Sequence, residues 1–246
     1  MKGLYLFFAF LAVFSISSCK SVIPPTVSQT ALVENTEYQD EYIKLEKCKY
    51  VANEGKIQIY YPQLRGLNDS SYEKIVNDAL YIYALNDYFD NWTISNLSLQ
   101  VDYSIHYMDK NYISIEFTGK GDTDGSRVSY VQYGVNLDLH QIDYLPNLYR
   151  IGISDIVDIQ SLYDAISNGS YKYIGIIEDE SDTYSGEDFA QMFQTSLKNQ
   201  QYNNKELTNF FFDEDGIILL IDDRYPHKLK VAFNSIKSNL GLEKMK

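Results

Sequence analysis

The sequence of residues 207–221 is Leu-Thr-Asn-Phe-Phe-Phe-Asp-Glu-Asp-Gly-Ile-Ile-Leu-Leu-Ile, in which two apolar runs flank an acidic segment. The Asp-Glu-Asp-Gly segment predicts a β-hairpin, because Gly216 can adopt the positive φ that such a turn requires. A third short strand within 228–233 and an amphipathic helical turn within 234–240 are expected to complete the unit. This hairpin indicates a sheet at the C-terminal end of the fold.

The three phenylalanines before that turn determine the predicted orientation of the hairpin. Because side chains alternate along a strand, Phe210 and Phe212 should lie on one face and Phe211 on the other. We therefore expect the hairpin to form part of a hydrophobic core rather than a functional site.

The composition indicates a folded, sheet-rich protein. The chain has 246 residues, 45% of them hydrophobic, which suffices for one large core or two small ones. Its 23 Tyr and 12 Phe are typical of half-buried sheet positions, although Tyr is also enriched at binding surfaces. A formal net charge of −13 argues against nucleic acid and is compatible with a cationic partner or with solubility alone.

The first residues form a predicted targeting segment. Lys2 precedes an apolar run, 4–14, which is shorter than the ~20 residues that span a bilayer. It ends in Ile-Ser-Ser-Cys at 16–19, which resembles a bacterial lipobox. The resemblance implies that 1–18 is a signal peptide and that Cys19 is diacylated, with palmitate among its chains. The alternative is an ordinary secretory signal with an incidental cysteine.

The predicted anchor determines the expected location of the protein. Residues 19–40, with Pro-Pro at 24–25, are expected to form a tether. The protein would then lie on the extracytoplasmic side of the cell membrane or outer membrane. Cys48 is the one other cysteine, so no disulfide framework is expected, and we predict a half-buried strand position for it.

The periodicity of apolar residues predicts segregated strands and helices, and therefore an α+β fold with antiparallel sheets. Pro62 is expected to end the second strand. In the segment 95–107, the alternation of apolar residues is expected to run unbroken through Tyr107. The predicted strands are 41–50, 56–61, 95–107, 112–119 and 127–140. The predicted helices are 72–89, with apolar positions that include Ile82, then 159–166, and 189–200, with Phe189, Met192, Phe193 and Leu197 on one face.

The order of these elements carries a family resemblance. The strand Ile-Tyr-Tyr-Pro at 59–62 precedes a helix and a meander containing Asp-Tyr-Ser-Ile at 102–105 and Asn-Tyr-Ile-Ser-Ile-Glu-Phe at 111–117. The tail at 209–237 follows. This pattern resembles a bacterial extracytoplasmic domain of unknown function. That domain forms the external part of an RsiV-like, lysozyme-sensing anti-sigma factor and precedes the catalytic domain of PdaC-like peptidoglycan deacetylases.

The resemblance implies two consecutive α+β subdomains packed with helices. Residues 41–150 would correspond to the deacetylase N-terminal domain, and residues 151–246 to the external domain of the anti-sigma factor. It also implies a ligand class, which is a lysozyme-like cationic protein or peptidoglycan.

The sequence contains no recognisable catalytic motif. A metal-dependent deacetylase needs paired histidines, whereas His106, His140 and His227 are far apart in the chain. We predict that all three are surface or turn residues. The acidic turns at 122–125 and 213–216 lack the closing Glu of a calcium loop. No catalytic, metal or cofactor site is therefore assigned, and the protein is expected not to be an enzyme.

Three functions remain open. The leading hypothesis is a lipid-anchored binding module of the cell envelope that recognises a lysozyme-like cationic protein or cell-wall glycan. The alternatives are a cell-wall hydrolase or deacetylase with an unrecognised site, and a structural envelope lipoprotein. The sequence does not specify an oligomeric state.

Overall fold

A computed structural model describes residues 43–67, 69–91, 97–122, 128–139, 150–175, 185–203, 209–221 and 227–239. These residues form two sheets and a few helices, which confirms the predicted α+β class. The predicted signal peptide, Cys19, the tether and His140 lie outside the described residues. The subdomain boundary near residue 150 stays a prediction.

The first sheet has five strands in the order β1-β2-β3-β4-β5. They are β1 (Lys44–Ala52), β2 (Ile57–Arg65), β3 (Ser98–Met108), β4 (Tyr112–Asp122) and β5 (Val128–Asp138). Helix α1 (Ser70–Asn91) packs on one face, where it forms the first hydrophobic core with the inward side chains of the strands. Asp69 begins this helix by accepting hydrogen bonds from the Ser71 and Tyr72 N–H groups.

One strand pair departs from the antiparallel expectation. Strands β2 and β3 are parallel, with Ile57 opposite Leu99 and Ile59 opposite Val101. A parallel pair requires a crossover connection, and helix α1 provides it. The hydrophobic periodicity predicted both strands and the helix, but it does not determine which edge the returning strand joins.

The second sheet has four strands in the order β6-β9-β8-β7, all antiparallel. They are β6 (Lys172–Gly175), β7 (Phe210–Phe212), β8 (Gly216–Ile221) and β9 (His227–Ala232). The helices are α2 (Ile153–Ile156), α3 (Ile159–Ser167) and α4 (Gly186–Asn203). Side chains from these helices and the sheet form the second core. Among the described helices, none combines the length and apolarity needed to cross a bilayer.

The predicted hairpin is confirmed as β7 and β8. Phe210 and Phe212 belong to the second core, and Phe211 lies in a separate cluster on the opposite face. The prediction that Gly216 adopts a positive φ in the turn is wrong. Its φ is not positive, and it is the first residue of β8. Glycine is needed there because a Cβ would lie 2.4 Å from the carbonyl oxygen of Val231.

One further prediction about a strand was wrong, and one strand was missed. Strand β2 continues through Pro62, which lies opposite Lys47, to Arg65. Strand β3 pairs with β2 only as far as Ile59, so Pro62 has no partner strand on one side and its missing N–H removes no bond there. The short strand β6 was not predicted, because its four residues are too few to show a period.

The predicted helix faces need correction at two positions. Met192 on α4 is 48% exposed and Ile82 on α1 is 43% exposed, so neither belongs to a core face. Phe189, Phe193 and Leu197 are buried as predicted. A capping box begins α4, since the Ser185 N–H donates to the Asp188 carboxylate and the Asp188 N–H donates to the Ser185 hydroxyl.

Candidate functional site

A buried carboxylate lies where the two sheets meet. Glu116 on β4 is 4% exposed, and its side chain points away from the core that contains Ile115 and Phe117. His106 Nε2 lies 2.9 Å from its Oε2, and Lys228 Nζ, from β9 of the second sheet, lies 2.5 Å from its Oε1. Gln132 Nε2 on β5 donates to the same Oε1 at 3.2 Å. Glu116 therefore joins the two sheets through one ion pair.

The electrostatics of this group favour the charged carboxylate. Burial by itself raises the pKa of Glu116, because the charged form loses its hydration. The hydrogen bonds from His106 and Lys228, together with their charges, outweigh burial, so the net pKa lies below its ordinary value. The arrangement therefore holds an anion in place rather than storing a proton.

A β-bulge places His106 in this cluster. The register of β3 and β4 shifts between Ile105 and Tyr107, which makes His106 an extra residue in its strand. Its imidazole stacks on Phe211 of β7 with ring centroids 4.1 Å apart. Lys228 also lies over the Phe211 ring, with Nζ 5.4 Å from the centroid. The predicted unbroken alternation through Tyr107 is wrong, because the bulge turns Tyr107 toward the second core.

Next to this cluster, side chains of the first sheet form hydrogen bonds with the backbone of β7, which is an edge strand of the second sheet. The Phe212 N–H donates to Ser114 Oγ at 2.8 Å, and the Ser114 hydroxyl donates to Asn136 Oδ1 at 2.7 Å. Asn136 Nδ2 donates to the Phe210 carbonyl at 2.8 Å. Ser114 and Asn136 are both buried. An edge strand that would otherwise expose backbone groups is thereby fixed against the first sheet.

The part of the first sheet away from β7 presents an accessible and largely polar surface, which we call the open face. One row of residues, each directly opposite the next on the neighbouring strand, crosses the sheet from β1 to β5. Its members are Val51, Gln58, Gln100, Lys120 and Tyr130. All five side chains are exposed or half-exposed. The open face also includes the neighbouring residues Lys49, Tyr60, Asp102 and Thr118.

Lysines lie over tyrosine rings on the open face. Lys49 Nζ is 5.3 Å from the centroid of Tyr60, and Lys120 Nζ is 4.8 Å from that of Tyr130. Lys47, at the border of the face, forms an ion pair of 2.8 Å with Asp102. A sheet surface of rings, amides and cations can contact a polar ligand without closing into a deep pocket.

Two turns place carboxylates together at another edge of the molecule. The Tyr107 hydroxyl donates to Asp109 Oδ2 at 3.0 Å, in the turn between β3 and β4. Burial raises the pKa of Tyr107, and so do the Asp109 hydrogen bond and the nearby charges of Asp109 and Glu214. Asp138 lies across from Tyr112 on β5. We call Asp109, Asp138 and Glu214 the acidic edge.

The predicted surface positions of the histidines are only partly correct. His106 is partly exposed in the bulge, with 30% of its side chain accessible. His227, in contrast, is 3% exposed; its Nδ1 lies 2.7 Å from the Tyr173 hydroxyl and its ring packs on Phe189. Cys48 lies in β1 as predicted, but it is fully buried rather than half-buried. The sequence did not predict the ion pair between Glu116 and Lys228, because the two residues are far apart in the chain and no local pattern links them.

The arrangement of these groups gives no complete catalytic set within the described ranges. No group of three or more His, Cys, Asp or Glu residues in those ranges could hold a metal ion. Ser104 lies directly across from Glu116 and is exposed, but it makes no hydrogen bond to His106. The Glu116 cluster has the contacts of a structural ion pair at a sheet junction.

Comparison with known proteins gives only distant structural similarities. No protein-family model matches the chain, and no curated protein matches it. Similar solved structures include a DUF3298 family member from Bacteroides fragilis NCTC 9343, with a TM-score of 0.45 and 14% identity over 90% of this chain and 99% of that one. They also include a DUF3298 family protein from Pseudomonas aeruginosa PAO1, with a TM-score of 0.39 and 12% identity over 89% and 96%.

Proposed function

We propose that this protein is a lipid-anchored, non-enzymatic binding module of the bacterial cell envelope. Its ligand is cell-wall glycan or a lysozyme-like cationic protein. The observation that carries the proposal is the open face, on which the cations of Lys49 and Lys120 lie over Tyr60 and Tyr130 and remain accessible. Aromatic rings with polar groups beside them are typical of binding surfaces.

The Glu116 cluster supports binding rather than catalysis. A general acid or base needs a proton that it can exchange at the operating pH, and its pKa is usually shifted toward that pH. The pKa of Glu116 is lowered instead, because His106 and Lys228 stabilise its charged form. The carboxylate is also 4% exposed, so a substrate has little access to it.

The acidic edge supports a cationic protein as the second ligand. Asp109 and Glu214 lie close enough to Tyr107 for both charges to raise its pKa, so carboxylates from the two turns share one surface. Such a surface attracts a basic protein, and the attraction weakens as salt is added. The two surfaces thus correspond to the two proposed ligands.

Calorimetry with soluble peptidoglycan fragments and with hen lysozyme tests the proposal. We expect the D109N/E214Q variant to lose lysozyme binding and to keep peptidoglycan binding, because the open face is unchanged. The D164N/E187Q variant removes two acidic residues elsewhere and serves as the control. Absence of binding to both ligands at high micromolar concentration would contradict the proposal.

The anchor requires a separate test. Cells that express the full chain should incorporate a palmitate analogue into the protein, and the Cys19→Ser variant should not. A protein that remains in the membrane fraction after this substitution, with unchanged labelling, would rule out anchoring at Cys19.

A hydrolase or deacetylase is the alternative, and the pairing of His106 with Glu116 is the observation that favours it. Purified protein would then release product from peptidoglycan. The Glu116→Gln and His106→Gln variants would abolish turnover while still binding glycan. No turnover is expected under the proposed binding function.

A further inference from the structure

Two lysines on the open face have no carboxylate partner among the described residues. Lys47, Lys228 and Lys230 each form an ion pair. Lys49 and Lys120 form none within the described ranges, and each lies over a tyrosine ring instead. A cation over a ring is held in position while its charge is not neutralised. These two ammonium groups are therefore positioned and available to an external anion.

The charge around these lysines is opposite to that of the chain as a whole. Residues 44–65, which contain β1 and β2, include five basic and two acidic residues in a protein of net charge −13. Asp102 on the open face is paired with Lys47, and Asp122 lies at its border. The region therefore attracts an anion locally, although the rest of the molecule repels one.

The spacing of the two lysines suits an elongated ligand. Lys49 is on β1 and Lys120 is on β4, which places their Cα atoms roughly 15 Å apart at the usual spacing of strands in a sheet. Gln58 on β2 and Gln100 on β3 lie between them and offer uncharged amides, next to Asp102, whose charge is paired with that of Lys47. Such amides donate and accept hydrogen bonds in the way that sugar hydroxyl and acetamido groups require.

We infer that the open face binds an extended acidic glycan, with Lys49 and Lys120 each holding an anionic group and the glutamines contacting the sugars between them. This inference rests on the proposed envelope-binding function and specifies its ligand. A membrane surface fits less well, because the exposed apolar residues Val51 and Val128 lie on opposite edge strands and form no patch. The line of contacts across the strands fits a chain better than a globular protein.

Binding of labelled hexagalacturonate to the full chain, followed by fluorescence polarisation, tests the inference. Chitohexaose provides sugar without charge, inorganic polyphosphate provides charge without sugar, and phosphatidylglycerol vesicles provide an anionic membrane. We expect binding of hexagalacturonate and at least about fivefold weaker binding of the other three. The Lys49→Gln and Lys120→Gln variants should each weaken hexagalacturonate binding roughly fivefold, in line with the loss of one charged contact.

The control is Lys74→Gln, which removes an exposed lysine on helix α1, on the opposite face of the sheet, and should leave binding unchanged. Absence of hexagalacturonate binding overturns the inference. So does equal binding of any of the three comparison ligands, or binding that K49Q and K120Q do not weaken. Peptidoglycan or lysozyme binding that survives such a result would overturn only this inference, whereas loss of all envelope binding would overturn the proposed function itself.

Discussion

Gly134 lies directly beneath the backbone of Phe210, where the edge of the second sheet crosses the first. A Cβ on Gly134 would be 1.7 Å from the Phe210 carbonyl oxygen, a separation that no side chain can occupy. The Gly134 N–H donates to Asn209 Oδ1 at 3.2 Å, so the backbone is also bonded across this contact. The two sheets approach this closely because position 134 has no side chain.

Replacement of Gly134 by alanine should therefore separate the sheets or prevent folding. We expect a loss of at least about 2 kcal/mol in the free energy of unfolding, because the clash is with backbone and cannot be relieved by a rotamer change. Urea denaturation of G134A measures it. T118A, on the neighbouring strand at an exposed position, should change stability by less than about 0.5 kcal/mol. Equal stability of G134A and the parent would contradict the close contact.

Loss of the Ser114 hydroxyl should leave the Phe212 N–H without its partner. S114A is expected to cost about 1–3 kcal/mol, the usual cost of a buried donor left unpaired. The matched control is S104A, which removes an exposed hydroxyl from the adjacent strand. Hydrogen exchange at the Phe212 amide should accelerate in S114A and not in S104A. An unchanged exchange rate in S114A would show that the edge strand is held by other contacts.

The Glu116 ion pair should make stability depend on pH. Its pKa is lowered in the folded protein, so its contribution is present above its ordinary value of 4.5 and is lost as pH falls through the folded pKa. At pH 7, E116Q should be less stable than the parent by about 1–3 kcal/mol. This difference should shrink as the pH falls below about 4.5.

Urea denaturation of both proteins at pH 7, 5 and 3.5 measures this effect. D164N removes an exposed carboxylate and controls for the change in net charge. A difference between parent and E116Q that grows toward low pH would mean that Glu116 is held in its protonated form, contrary to the geometry.

Cys48 should be unreactive in the native protein. Burial raises the pKa of its thiol, and the charge of Glu46 raises it further against an opposing effect of Arg65. The reactive thiolate is therefore both scarce and inaccessible. In the Cys19→Ser background, a thiol reagent at pH 8 should label the chain only after denaturant is added. Rapid labelling without denaturant would show that strand β1 opens from the sheet.

Much of the fold follows from local patterns in the sequence. Apolar runs on either side of an acidic turn predicted the strands around Phe210, and spacings of three and four residues predicted helix α1, since each pattern depends on residues close together in the chain. The pattern did not reveal the bulge at His106, because one inserted residue changes the faces that follow without changing composition.

The candidate surfaces depend on tertiary structure for a physical reason. Glu116 meets Lys228, and the open face assembles Lys49 and Lys120, only because hydrogen-bonded strands distant in sequence become neighbours. The parallel pairing of β2 and β3 aligns the row of residues from Val51 to Tyr130. No local sequence preference determines that β3 pairs with this edge of β2. The sequence by itself determined most of the segments that form strands, apart from β6, and the alternation of their side chains as far as the bulge at His106. Long-range packing decided which charges lie together and which of them remain open to a ligand.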